Sequence, residues 1–166
     1  HAKSNPEAGF VDFVHLHNHT HYSLLDGLQK VPTAVDRAFE LGMSAVAITD
    51  HGTLSGAIEF YKTCKAKGIK PIIGMEAYVS PRKYTDKSSA EDRNPYHLTL
   101  LAKNQQGYKN LMKLSTIASL EGFYYKPRVD HDLLKKYSEG LIVLSGCLGG
   151  ELGTMISNDQ YEQALQ

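Results

Sequence analysis

The stretch HLHNHTHYSLLDG, residues 15–27, sets His15, His17, His19 and His21 at every second position, with Asp26 close behind; the whole chain has 8 histidines. On an extended strand, residues two apart share a face, and four such rings span roughly 20 Å. A metal–imidazole bond is only about 2.0–2.1 Å long. One adjacent pair can therefore hold an ion, but the whole ladder cannot. His17 and His19 form that H-x-H pair, and His15 and His21 read as polar bystanders.

Other metal-capable side chains recur along the sequence. Asp50 and His51 leave an apolar run in ITDHG, Glu76 interrupts GMEAY, His97 lies in YHLTLL and Cys147 in SGCLGG. Each has a plainer alternative. Asp26 and Asp50 suit turns and caps, His97 could be a satisfied core histidine, and Cys147 could be an inert thiol. A buried Glu76 needs a partner, and a cation is one. Imidazole, carboxylate and thiolate together suit zinc first, with manganese or iron as alternatives, rather than magnesium or calcium. So many donors exceed a four-ligand structural zinc site. Two or three divalent ions are expected, an arrangement that activates water and clamps a phosphoryl group. The chain has no Cys-x-x-Cys pair, P-loop or Gly-x-Ser-x-Gly elbow to argue for another chemistry.

The elements that must position these residues follow from periodicity. FVDFVHL (10–16), SAVAITD (44–50), KPIIGMEAYVS (70–80), YHLTLLA (96–102) and GLIVLSG (140–146) read as strands. VPTAVDRAFELG (31–42), LSGAIEFYKTCKAKG (54–68) and NQQGYKNLMKLSTIASLEG (104–122) read as helices. The first two close on glycine, and Gly107 is a mild blemish in the third. DHDLLKKY is a short helix, and a helical tail follows Gly150. Residues 1–9 are a loose lead-in, and 80–95 form a charged surface loop. Strand–helix alternation predicts a parallel α/β fold, with ligands gathered at the strand C-terminal ends. Each strand would bring a metal-capable side chain near that end.

The bulk properties set limits. A chain of 166 residues suits one domain. Lys+Arg and Asp+Glu are 18 each, so any nucleic-acid contact is local rather than a broad basic face. No apolar run reaches membrane-span length, and no signal pattern opens the chain, so a cytoplasmic location is expected. Cys64 and Cys147 make no disulfide framework. His1 could be a tag remnant and is left out of the site.

Taken in order, HLHNHT…SLLDG, ITDHG, GMEAY, YHLTLLA, GFYYKPR and GLIVLSGCLGG resemble the PHP (polymerase and histidinol phosphatase) family. The flanking text resembles its branch at the N-terminus of bacterial DNA polymerase III alpha subunits. The resemblance runs from about residue 12 to the end. It implies a distorted seven-stranded α/β barrel, present here in part, with a metal cluster at the strand C-termini. The implied ligands are His17, His19, Asp26, His51, Glu76, His97 and Cys147, with Asp50 in support. His15, His21 and His131 match no ligand position. The family adds a further His and an Asp-x-His pair beyond the fifth strand, and residues 148–166 hold no His. Residues 10–166 are therefore expected to be the N-terminal portion of such a domain, and an unpaired sheet edge could lead it to self-associate.

The resemblance implies metal-dependent 3′–5′ exonuclease chemistry when the ligands are intact. Its implied partners are a DNA 3′ end, the remainder of a polymerase alpha chain and replisome subunits. Lys126 and Arg128 in YYKPR are candidate contacts to a phosphate. The competing expectations are a metal-stabilised scaffold that docks the polymerase or a proofreading partner, and a small-molecule phosphatase of the same superfamily.

Overall fold

In the computed structural model, which describes residues 13–165, the longest strand is β2, Lys70–Val79. The chain divides within that strand into two units, one ending at Met75 and the other starting at Glu76.

The first unit holds α1 (Val31–Glu40), β1 (Ala45–Ile48) and α2 (Ala57–Lys67). Pro32 opens α1, where its missing N–H costs nothing. Val31, Val35 and Ala38 form the buried stripe of α1. Phe60 and Cys64 of α2 meet them in one core with Val46, Ile48 and Ile69. Burial pushes the Cys64 thiol up to about 12, so this cysteine is packing and not a nucleophile. Gly68, at φ +78°, ends α2 in the left-handed region. β1 runs parallel to β2, Ala45 opposite Lys70 and Ile48 opposite Ile73.

The second unit adds β3 (Tyr96–Ala102), α3 (Gln105–Leu120), β4 (Arg128–Val129), α4 (His131–Lys136), β5 (Leu141–Leu144), α5 (Glu151–Ser157) and α6 (Tyr161–Ala164). The end of β2 pairs in parallel with β4, Tyr78 opposite Arg128. Leu111, Leu114 and Ala118 of α3 are buried, and α3 packs on β3, β4 and β5. The hydrogen-bonded strand order is β1-β2-β3-β5, with β4 beside β2. Among the described residues the sheet is not closed into a barrel.

Three expectations are corrected. The sheet is mixed, because β3 and β5 are antiparallel, Thr99 opposite Leu144 and Ala102 opposite Leu141. The cause is local. Lys103 N–H donates to Gly140 O at 2.8 Å, so β5 begins where β3 ends. Gly107 is no blemish, since a Cβ there would sit 1.9 Å from Gly140 O. Of the first expected strand, residues 10–12 lie outside the described residues, and 13–16 form no strand. Ala47 N–H donates to His15 O and Thr49 N–H to Asn18 O, both at 2.9 Å. Two residues of one chain thus face three of the other, the count of a bulge, which breaks the ladder.

The 80–95 segment is held from inside. Asp92 is fully buried and takes Arg82 through Nε at 3.0 Å and an Nη at 2.6 Å. It also accepts the Ser88 and Ser89 amides. Arg82, then these amides, hold its carboxyl well below the usual carboxylate range. A depressed folded-state pKa stabilises the fold above the unfolded value, and that contribution is lost as pH falls through the acid range toward the folded value. Asp92→Asn is therefore expected to lower stability at neutral pH and to flatten its decline below about pH 4, as read by urea unfolding across pH.

Candidate metal centre

In the first unit the site is built on Asp50, the second residue after β1, which is 1% exposed. Its carboxyl accepts from Thr20 N–H at 2.5 Å, Thr20 Oγ1 at 2.8 Å and Ser23 Oγ at 2.7 Å. These bonds draw the histidine segment onto the end of β1. Gly27 is required in the same turn, because a Cβ there would lie 1.9 Å from Thr20 O.

Ser23 has one hydroxyl proton, and it is committed to Asp50. Its oxygen can only accept from its other neighbours, His51 N–H at 3.1 Å and His19 Nδ1 at 3.3 Å. His19 therefore carries its proton on Nδ1, which puts the ring's lone pair on Nε2, the atom that would ligate a metal. His17 Nε2 lies 3.2 Å from that atom. Two donors on one tetrahedral ion, with bonds of about 2.0–2.1 Å, stand about 3.3 Å apart. His51 stacks on His19, ring centroids 4.1 Å apart, and its Nε2 is 2.9 Å from Asp26 Oδ2. Donor atoms of His19, Asp26 and His51 all lie within 4.8 Å of one another. This set fits a divalent ion in spacing and donor chemistry.

In the second unit, Glu76 is 1% exposed and its Oε1 is 2.5 Å from His97 Nδ1. Cys147, exposed in the turn after β5, has Sγ 3.9 Å from the same nitrogen. The expected placement at strand C-terminal ends fails for one residue of this group. His97 is the second residue of β3, at its N-terminal end. Cys147 reaches it because β5 runs antiparallel and delivers its C-terminal end there.

The other histidines stand apart, and so do the phosphate candidates. His15 packs edge-on to Phe13, His21 lies against the Tyr22 ring, and His131 pairs with Glu151 at 2.9 Å. Arg128 is corrected outright. It is fully buried, and its guanidinium donates to Gly122 O, Ser80 Oγ, Asp92 O, Tyr84 O and Asp86 O. All five donors are spent on the fold, leaving none for a phosphate. Lys126 is exposed, with Nζ 5.3 Å from the Tyr78 ring centroid. Thr20 and Ser23 are the residues that sequence reasoning missed. The signal was Asp50 itself, a carboxyl beside an apolar strand that needs donors.

Residues 15–166 match the PHP domain family. The chain belongs to the PHP domain family. It is 53% identical over 153 residues to the DNA polymerase III subunit alpha of Borreliella burgdorferi, covering 92% of this chain and 13% of that one. The Helicobacter pylori (strain 26695) subunit is 55% identical over 140 residues, covering 84% and 11%. For Thermus aquaticus the figures are 48% over 158 residues, 93% and 13%. This PHP domain thus spans only about an eighth of the length of these relatives. Among solved structures, an amidohydrolase from Chromobacterium violaceum matches 92% of this chain and 49% of that one, at 18% identity and a TM-score of 0.43. No helix among the described residues is long and apolar enough to cross a membrane.

Two substitutions separate positioning from binding. Ser23→Ala is expected to weaken zinc affinity about tenfold, read by competition with a chromophoric chelator, because it frees the His19 ring. Arg128→Met is expected to cost on the order of 3 kcal/mol of stability by orphaning buried carbonyls, seen as a lower denaturation midpoint.

Proposed function

We propose that this PHP domain is a metal-dependent phosphodiesterase of the 3′–5′ exonuclease type, acting on a DNA 3′ end as part of a DNA polymerase III alpha subunit. The observation that carries the reading is the His19–Asp26–His51 cluster, with the His19 tautomer set by Ser23 and Asp50. The names of the relatives support the choice of DNA. The proposed ligands are His17, His19, Asp26 and His51 from the first unit and Glu76, His97 and Cys147 from the second. They would hold two or three ions, zinc first, with manganese or iron as alternatives. Polymerase activity and contacts with replisome subunits belong to the same proposal, through the longer relatives.

Bound ions would supply activation of water and stabilisation of charge on the phosphate and the leaving oxygen. The chain's own part is positional. His17 and His19 present convergent ring nitrogens, and Asp26 offers a carboxyl oxygen beside His51. Asp50, through Ser23, keeps the His19 ring from turning. A neutral domain suits a chain end held at one point better than a duplex gripped along its length.

Elemental analysis of the purified chain beside its His19→Ala variant is the test. Two or more equivalents of zinc, manganese or iron are expected in the parent and fewer in the variant, with metal-dependent release of 3′ nucleotides by a full-length polypeptide. Metal without hydrolysis would replace this reading with the scaffold, and hydrolysis of small phosphate monoesters alone would replace it with the phosphatase.

A further inference from the structure

Residues 122–128, GFYYKPR, fold back on themselves. Arg128 N–H and Nε both donate to Gly122 O, at 3.4 and 3.1 Å, and Tyr124 N–H donates to Lys126 O at 3.0 Å. At the tip, Tyr125 sits at φ +61°, a region that glycine enters freely and a bulky residue avoids. Its side chain is not packed away in exchange, since Tyr125 is 61% exposed and nearby Phe123 is 54% exposed. Strain held at an exposed aromatic points to use of the ring rather than to stability.

The surroundings say what the ring could meet. The exposed Arg93 guanidinium lies 5.2 Å from the Tyr125 ring centroid. Tyr125 packs edge-on to Tyr124 at 4.8 Å, and Tyr124 lies under buried Arg128 at 5.3 Å. Lys126 is over Tyr78, whose ring is edge-on to His97 at 5.2 Å. Aromatic faces thus alternate with cations beside the Glu76–His97 pair. Glu121, the nearby carboxylate in sequence, accepts from Tyr84 Oη at 3.2 Å. Rings that accept flat π-faces, flanked by cations that accept phosphates, are the recognition chemistry of single-stranded nucleic acid.

We infer that the 122–128 loop is a stacking platform for single-stranded DNA, with bases on Tyr125 and Phe123 and backbone phosphates on Arg93 and Lys126. The choice of DNA over RNA rests on the function proposed above; the stacking itself does not depend on metal. Lys126 thereby keeps a phosphate role, while Arg128 serves only to close the loop.

The test is fluorescence anisotropy of a labelled oligothymidylate with the 166-residue chain, in EDTA so that hydrolysis and metal occupancy do not enter. The informative variant is Tyr125→Gly, which removes the ring but suits the backbone. Affinity is expected to fall about fivefold or more, with the thermal midpoint within a few degrees of the parent. Arg93→Gln is expected to reduce the slope of log affinity against log salt by roughly one. An abasic oligomer of equal length should bind the parent as weakly as the oligothymidylate binds the variant. Equal binding of abasic and normal strands, no loss in Tyr125→Gly, or no binding by the parent would each overturn the platform. None of these outcomes bears on the metal content that tests the proposed phosphodiesterase.

Discussion

Removing a carboxylate from water without compensation costs several kcal/mol, and Asp50 meets that cost with three hydrogen bonds from residues some thirty positions earlier. Bonds to a charged acceptor contribute about 1.5–3 kcal/mol each, enough to make burial tolerable but only if all three form together. The donors lie at Thr20 and Ser23, inside the histidine segment. The segment that carries His17, His19 and Asp26 is therefore folded by the same requirement that keeps Asp50 satisfied. The placement of these side chains follows from hydrogen-bond accounting, with little apolar packing of its own; Leu24, Leu25 and Leu28 nearby are almost wholly exposed.

Arg128 plays the corresponding part in the second unit with the opposite charge. A buried guanidinium must find acceptors for every N–H, and it finds them in carbonyls of Tyr84, Asp86, Asp92 and Gly122 and in the Ser80 hydroxyl. One side chain thereby ties a loop with little regular structure to the loop before β4. Desolvation pulls the Arg128 pKa down, against the attraction of Asp92 and Asp86. In both units buried charges shape irregular chain that hydrophobic periodicity could not specify.

That division explains what could be read in advance. The helices over 31–40, 57–67 and 105–120 were visible because their apolar spacing is a local property of the chain. So were β1, β2 and β3, and the motifs placed His17, His19, His51 and Asp26 where donors converge. Strand direction was not visible. It was decided by a close approach of Gly107 to Gly140, a contact between segments that are remote in sequence. The two-residue β4 is too short to carry a pattern. Residues 13–16 form no strand because one extra residue separates the bonds of His15 and Asn18 to Ala47 and Thr49. Arg128 was misread because sequence shows a charge without showing its burial, and Thr20 and Ser23 were overlooked because a hydroxyl has meaning only beside its acceptor.

The zero net charge takes on a different sense once the charges are placed. Arg128 is consumed internally, Arg82 is held by Asp92, Lys83 by Asp132, Lys67 by Asp36 and Arg37 by Glu40. Four of these are tied to carboxylates and Arg128 to carbonyls and a hydroxyl, so these five add little to a salt-dependent grip on phosphates. On the platform proposed above, the phosphate contacts would be few, Arg93 and Lys126. Stacking then becomes the economical choice, because an aromatic face attracts a base without needing excess charge. A strained tyrosine displayed in water is what such a domain would need to hold one flexible strand while leaving duplex DNA alone.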